Sequence, residues 1–124
     1  MRFISTRVHG VIDYIVGVLL IIVPWLLGFA RGGAETWVPV LLGIALILYS
    51  FFTNYELGVV KRLPMSTHLW LDGISGFILA ISPWLFGFAD IVWAPHLIVG
   101  LLEIGMALFT EKVPSYGRAA GGAP

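Results

Sequence analysis

Residues 5–30 recur at 64–89, and this duplication restricts the fold more than any other feature of the chain. At an offset of 59, twelve of the 26 aligned positions are identical, among them His9/His68, Asp13/Asp72, Gly17/Gly76, Pro24/Pro83, Trp25/Trp84, Gly28/Gly87 and Phe29/Phe88. The match continues with small gaps. Trp37-Val38-Pro39 falls over Trp93-Ala94-Pro95, Gly43 over Gly100, and Phe52-Thr53 over Phe109-Thr110. A repeat of this length makes one supersecondary unit the building block, so whatever the first half forms the second half forms again.

Each copy holds two apolar segments, about 8–29 and 37–52 in the first, and about 69–88 and 91–109 in the second. A helix over the first segment would span roughly 33 Å at 1.5 Å per residue, enough for a bilayer core. Lipid offers the backbone no hydrogen-bond partners, so such segments fold as helices despite their β-branched residues. Composition agrees: 59% of the 124 residues are hydrophobic and 11% charged, too few charges to cover a water-facing surface. The expected fold is all-α, an integral membrane four-helix bundle. Two tandem transmembrane hairpins (repeats at about 5–56 and 64–112) would be related by a pseudo-twofold axis along the membrane normal. Residues 1–112 form one domain, and 113–124, ending in a Gly-rich stretch, read as a disordered cytoplasmic tail.

Ser5-Thr6 and Ser66-Thr67 are N-cap types before the first helix of each copy. Pro39 and Pro95 fall in the first turns of the second helices, Pro39 more clearly. Pro24 and Pro83 lie about one turn before the far ends of the first helices and should loosen them there. Six of the seven Lys and Arg residues lie at the N-terminus, the central loop and the C-terminal segment, and only Arg31 lies in the other two loops. That bias predicts a multi-pass cell-membrane protein with both termini cytoplasmic. Trp25, Trp37, Trp84 and Trp93 then form an aromatic belt at the outer interface. The first apolar stretch is longer than a signal-peptide core and recurs internally, so it reads as a retained helix. Gly17 and Gly76, four residues after Asp13 and Asp72, predict that the two first helices pack on each other through that face.

The paired segments Pro24-Trp25-Leu26-Leu27-Gly28-Phe29 and Ser82-Pro83-Trp84-Leu85-Phe86-Gly87-Phe88 resemble the SPW repeat family, small prokaryotic membrane proteins whose repeat is a pair of transmembrane helices. The resemblance runs from about Ser5 to Thr110. The second copy carries the full motif, whereas the first has Val23 in place of serine. It implies fold and location and supplies no chemistry.

The residues themselves offer one candidate site. His9-xxx-Asp13 and His68-xxx-Asp72 each place an imidazole and a carboxylate on one helix face. Together they are candidate ligands for a divalent metal, and the two histidines are candidate axial ligands to a haem. Ionisable groups at membrane depth also mark proton paths. Against these stands a structural reading: both aspartates lie near helix N-termini, where a carboxylate is stabilised by about 0.3–1 kcal/mol. Glu103 is the deepest acid, with Leu46 or Ile47 opposite it in the first copy; it reads as a protonated acid bonded to a neighbouring helix, and the alternative is a hydrogen bond from His9 or His68 that closes a polar cluster. His96, on the outer side, reads as structural. The central loop 55–63 could form a short interfacial helix with Lys61 and Arg62 toward anionic lipid.

No nucleophile set, phosphate loop or zincin pattern occurs in the sequence, and cysteine is absent. The leading expectation is therefore a non-enzymatic structural or accessory membrane component without a cofactor. Its partners are the lipid bilayer and a second copy or another membrane protein, with no nucleic acid. A metal-, haem- or proton-binding protein is the alternative, and a transporter a third.

Overall fold

A computed structural model describes residues 1–116. It contains four helices: α1 (Thr6–Leu26), α2 (Ala34–Phe51), α3 (Met65–Leu85) and α4 (Ala94–Phe109). No named strand occurs among the described residues. There are only two isolated parallel bridges, Ile4 with Thr110 and Thr53 with Leu63. α1 and α2 are each long and apolar enough to cross a membrane, and α4 is apolar but only 16 residues long. α3 repeats the 21-residue length of α1.

The helices stop earlier than hydropathy alone indicates, and the repeated Pro-Trp-Leu-x-Gly-Phe segment is the reason. Gly28 and Gly87 adopt φ of +75° and +74°, a conformation that costs a residue with a Cβ. The chain then folds back. Phe29 N–H donates to the Pro24 carbonyl at 2.8 Å and Phe88 N–H to the Pro83 carbonyl at 2.7 Å, the closing bond of a Schellman turn. Phe29 and Phe88 are thereby turned inward and buried. The motif is a helix terminator.

Its proline also frees a carbonyl one turn back, because residue i−4 loses its donor. In the second copy Ser82 Oγ donates to the Leu79 carbonyl at 2.7 Å, supplying the bond that Pro83 cannot. Val23 has no hydroxyl to do the same in the first copy. Pro39 is the sixth residue of α2 rather than part of its first turn, while Pro95 is the second residue of α4, the reverse of the expected ranking. The Glu35 carbonyl that Pro39 leaves free accepts from His96 Nε2 at 3.0 Å, across the bundle. Nothing in the sequence marks that partner for His96.

Ser5 caps α1 as expected, accepting from Val8 N–H at 3.1 Å. Ser66 and Thr67 do not cap α3; they lie inside its first turn, which begins after Pro64. Gly33 leads into α2 without a side-chain cap, and Glu35 Oε2 reaches back to the Gly33 N–H at 2.8 Å instead. That extra turn starts α2 three residues before Trp37.

Packing corrects the glycine expectation. A Cβ on Gly17 would meet Ile47 and the Gly43 carbonyl of α2, and a Cβ on Gly76 would meet the Gly100 carbonyl and Glu103 of α4. The small residues thus bring backbones together within each hairpin, α1 on α2 and α3 on α4, and not α1 on α3. Between the hairpins lies an apolar layer of Val16, Leu20, Leu46 and Leu79. The central loop is also not a helix. It is a run of turns in which Val59 and Val60 N–H bond the Phe51 carbonyl and Leu63 N–H bonds that of Phe52. Tyr55 is fully buried there, and Lys61 Nζ donates to the Tyr55 and Gly58 carbonyls.

Of the expected tail 113–124, Pro114 is buried and Ser115 Oγ donates to Glu56 Oε2 at 2.6 Å. Tyr116 OH donates to Asn54 Oδ1. The remainder, 117–124, lies outside the described residues.

Polarity is inverted relative to a water-soluble domain. Ile15, Ile74, Leu41 and Ile98 are all more than half exposed, while three histidines and four acids are buried.

Candidate functional site

α1 and α3 each present His and Asp one turn apart, and the pseudo-twofold turns these faces toward one another. His9, Asp13, His68 and Asp72 converge with side chains almost wholly buried. His9 Nε2 lies 2.7 Å from Asp72 Oδ2 and 3.1 Å from Asp13 Oδ1. His68 Nε2 lies 3.0 Å from Asp13 Oδ2 and 3.2 Å from Asp72 Oδ2. Each ring therefore meets its own carboxylate and the other hairpin's. One ligand atom from each of the four falls within 4.8 Å of all the others.

The opposite ring nitrogens are bonded in the same crossed manner. His9 Nδ1 lies 2.7 Å from Thr110 Oγ1, at the end of α4, and His68 Nδ1 lies 2.7 Å from Thr53 Oγ1, just past α2. Thr53 Oγ1 already donates to the Tyr49 carbonyl at 2.5 Å, so toward His68 it can only accept. That fixes the His68 tautomer: Nδ1 carries a proton. The carboxylates have phenolic partners, Tyr55 OH donating to Asp13 Oδ2 at 2.9 Å and Tyr49 OH to Asp72 Oδ1 at 2.5 Å.

Four partners were missed in the sequence. The threonines carry a signal, since Phe52-Thr53 and Phe109-Thr110 are themselves a repeated pair. The tyrosines carry none, because Met106 and Lys112 occupy their positions in the second copy. Glu103 does not join the cluster. Its Cβ packs on Gly76, and its buried Oε1 has no hydrogen-bond partner. All four histidine nitrogens of the cluster face threonine or aspartate, so the alternative, a bond from histidine to Glu103, is not made. Nor is there room for haem. The His9 and His68 rings stand edge to face with centroids 5.3 Å apart, too close to sandwich a macrocycle.

Trp25, Trp37, Trp84 and Trp93 are half exposed at the opposite end from the cluster, while Pro24, Ser82 and Pro83 are buried. His96 sits between Phe29 and Phe88, with centroid distances of 5.3 and 4.9 Å. A cleft of about 200 Å³ beside Trp70 and a void of about 20 Å³ beside His96 are lined without any member of the His–Asp set.

Two tandem helical hairpins with inverted polarity and a shared polar knot define a class of small duplicated helical bundles. The model of the SPW repeat domain matches residues 7–110, and the chain belongs to that family. No curated protein and no solved structure matches it.

Proposed function

We propose that this chain is a multi-pass membrane component with a structural or accessory role and no catalysis of its own, both termini lying in the cytoplasm. The observation that carries the reading is the crossed His–Asp–Thr arrangement, in which the bundle's most polar buried groups are spent on one another across the two hairpins. Polar groups buried in a helical bundle act as glue where they bond across its elements, as His9 does to Asp72 and Thr110 and His68 to Thr53. The cleft beside Trp70 and the void beside His96 are both lined without any cluster residue. The apolar exterior supports four spanning helices, α3 and α4 repeating the pattern of α1 and α2. Arg2, Lys61, Arg62 and Lys112 lie at the cluster end and the tryptophan belt at the other, which supports the orientation.

Labelling intact cells with a membrane-impermeant maleimide tests this. Arg31→Cys and Asp90→Cys should react from outside and Val59→Cys only after lysis. Labelling of position 59 in intact cells, or of all three sites alike, would overturn the topology. A catalytic turnover abolished by His68→Gln in a still-folded bundle would overturn the structural role.

A further inference from the structure

The structure assigns the His9–Asp13–His68–Asp72 cluster as a closed, four-coordinate site for a divalent transition-metal ion, with Zn²⁺ the best match. This goes beyond the structural role, which needs only the hydrogen-bonded cluster.

His68 is the least satisfied member of the cluster. Its side chain has no solvent exposure, and Thr53 fixes a proton on Nδ1, so Nε2 is the atom His68 turns into the cluster. Two carboxylate oxygens stand 3.0 and 3.2 Å away, yet Nε2 makes no hydrogen bond to either. A buried nitrogen that faces two carboxylates without a hydrogen bond to either marks a place for a positive centre, and four ligand atoms within 4.8 Å of one another there can hold one metal ion. Four donors bound at 2.0–2.1 Å in a tetrahedron are separated by about 3.3 Å. The crossed nitrogen–oxygen separations here are 2.7–3.2 Å and the four ligand atoms lie within 4.8 Å of one another, so an ion would part the nearer pairs slightly and draw the farther ones together.

The surroundings are those of a metal site. Histidine ligands are oriented through their other ring nitrogen and ligating carboxylates are themselves hydrogen-bonded. Here Thr53 and Thr110 hold the two Nδ1 atoms, and Tyr49 and Tyr55 hold the two carboxylates. Two carboxylates, two neutral imidazoles and a divalent ion sum to zero charge, which a buried set requires. Two nitrogens and two oxygens in a compact tetrahedral set favour Zn²⁺ over Mg²⁺ or Ca²⁺, which prefer six or more oxygens. With all four positions filled by protein the ion has no open site, so it is a staple between hairpins and not a catalyst.

The test uses the full chain in mild detergent, purified with a histidine-free tag, stripped with chelator and titrated separately with Zn²⁺ and Co²⁺. The expected result is a single ion per chain by elemental mass spectrometry, with the intense visible absorption of four-coordinate Co²⁺. His68→Gln should abolish both. Should that variant not fold, Thr53→Val and Tyr49→Phe keep all four ligands and should bind Zn²⁺ about 10- to 100-fold more weakly. Three results would overturn the assignment: a folded wild type that takes up no stoichiometric metal, a weak six-coordinate Co²⁺ spectrum, or unchanged affinity in Thr53→Val and Tyr49→Phe. A metal-free cluster that still pins the hairpins would leave the structural role standing and remove only the ion.

Discussion

Replacing His96 by leucine isolates one hydrogen bond whose existence depends on a proline in another helix. Pro39 has no N–H, so the Glu35 carbonyl has lost its intrahelical donor, and His96 Nε2 supplies one from α4 at 3.0 Å. The other ring nitrogen, Nδ1, has no partner, so His96→Leu removes a single bond. Leucine is also compact enough to remain between Phe29 and Phe88. Leaving a buried carbonyl unpaired costs about 1–3 kcal/mol in proteins generally. Interhelical bonds in membranes average nearer 0.6 kcal/mol with a maximum of about 1.7. The expected loss is therefore about 1–1.5 kcal/mol. In a Pro39→Ala background the backbone N–H restored at position 39 can reach the Glu35 carbonyl, and the same histidine substitution should cost less by about 1 kcal/mol. Unfolding of the four proteins in mixed micelles, followed by far-ultraviolet circular dichroism, reads both quantities. Equal cost of His96→Leu in the two backgrounds would refute the proline-compensation reasoning.

Three further predictions address other parts of the bundle. A Cβ at Gly100 would sit 2.5 Å from both the Gly76 carbonyl oxygen and the Ala80 nitrogen, backbone atoms that cannot swing aside. Gly100→Ala should then destabilise the fold by about 1–3 kcal/mol in the same unfolding assay, and a neutral result would show that α3 and α4 are not in close backbone contact. Ser82→Ala removes the donor to the Leu79 carbonyl and should cost about 0.6–1.7 kcal/mol, whereas Val23→Ala, in the copy that lacks the hydroxyl, should leave the amide-exchange rates around its own proline unaltered. At Glu56, burial pushes the carboxyl up, but hydrogen bonds from Ser115 and Thr6 outweigh it and hold the group down from 4.5 to about 2. The tie between the 111–116 segment and the central loop is then fully present above pH 4.5 and lost as pH falls toward 2. The Ser115 amide resonance should follow that low transition and be insensitive in Glu56→Gln, and a midpoint near 4.5 would contradict it.

The duplication and the hydropathy pattern were enough to place four helices in two hairpins, because both are properties of the chain read locally. The disturbance at Pro24 was also legible, since a missing N–H leaves a residue-type signature, whereas the positive-φ turn at Gly28 was not read from the sequence. What stayed hidden concerns partner choice. Gly17 and Gly76 announce close approach but do not say which helix approaches, and the answer was the hairpin neighbour. Tyr49 and Tyr55 reach the cluster from the end of α2 and the following loop, positions where no periodicity or repeat marks them. The convergence of His9, Asp13, His68 and Asp72 was legible as a candidate because a parallel repeat brings equivalent faces to one axis. The exchange of threonines between hairpins was not, since it depends on where α2 and α4 end relative to α1 and α3.

The most direct test of the account is a double-mutant cycle on unfolding free energy between His9→Gln and Asp72→Asn. This pair spans the hairpins at 2.7 Å, whereas His9 and Asp13 share a helix. A coupling of about 1–3 kcal/mol between His9 and Asp72 is expected if the crossed cluster joins the two halves. Additive losses, with coupling confined to His9 and Asp13, would mean that each hairpin satisfies its own histidine and that the shared knot does not hold the bundle together.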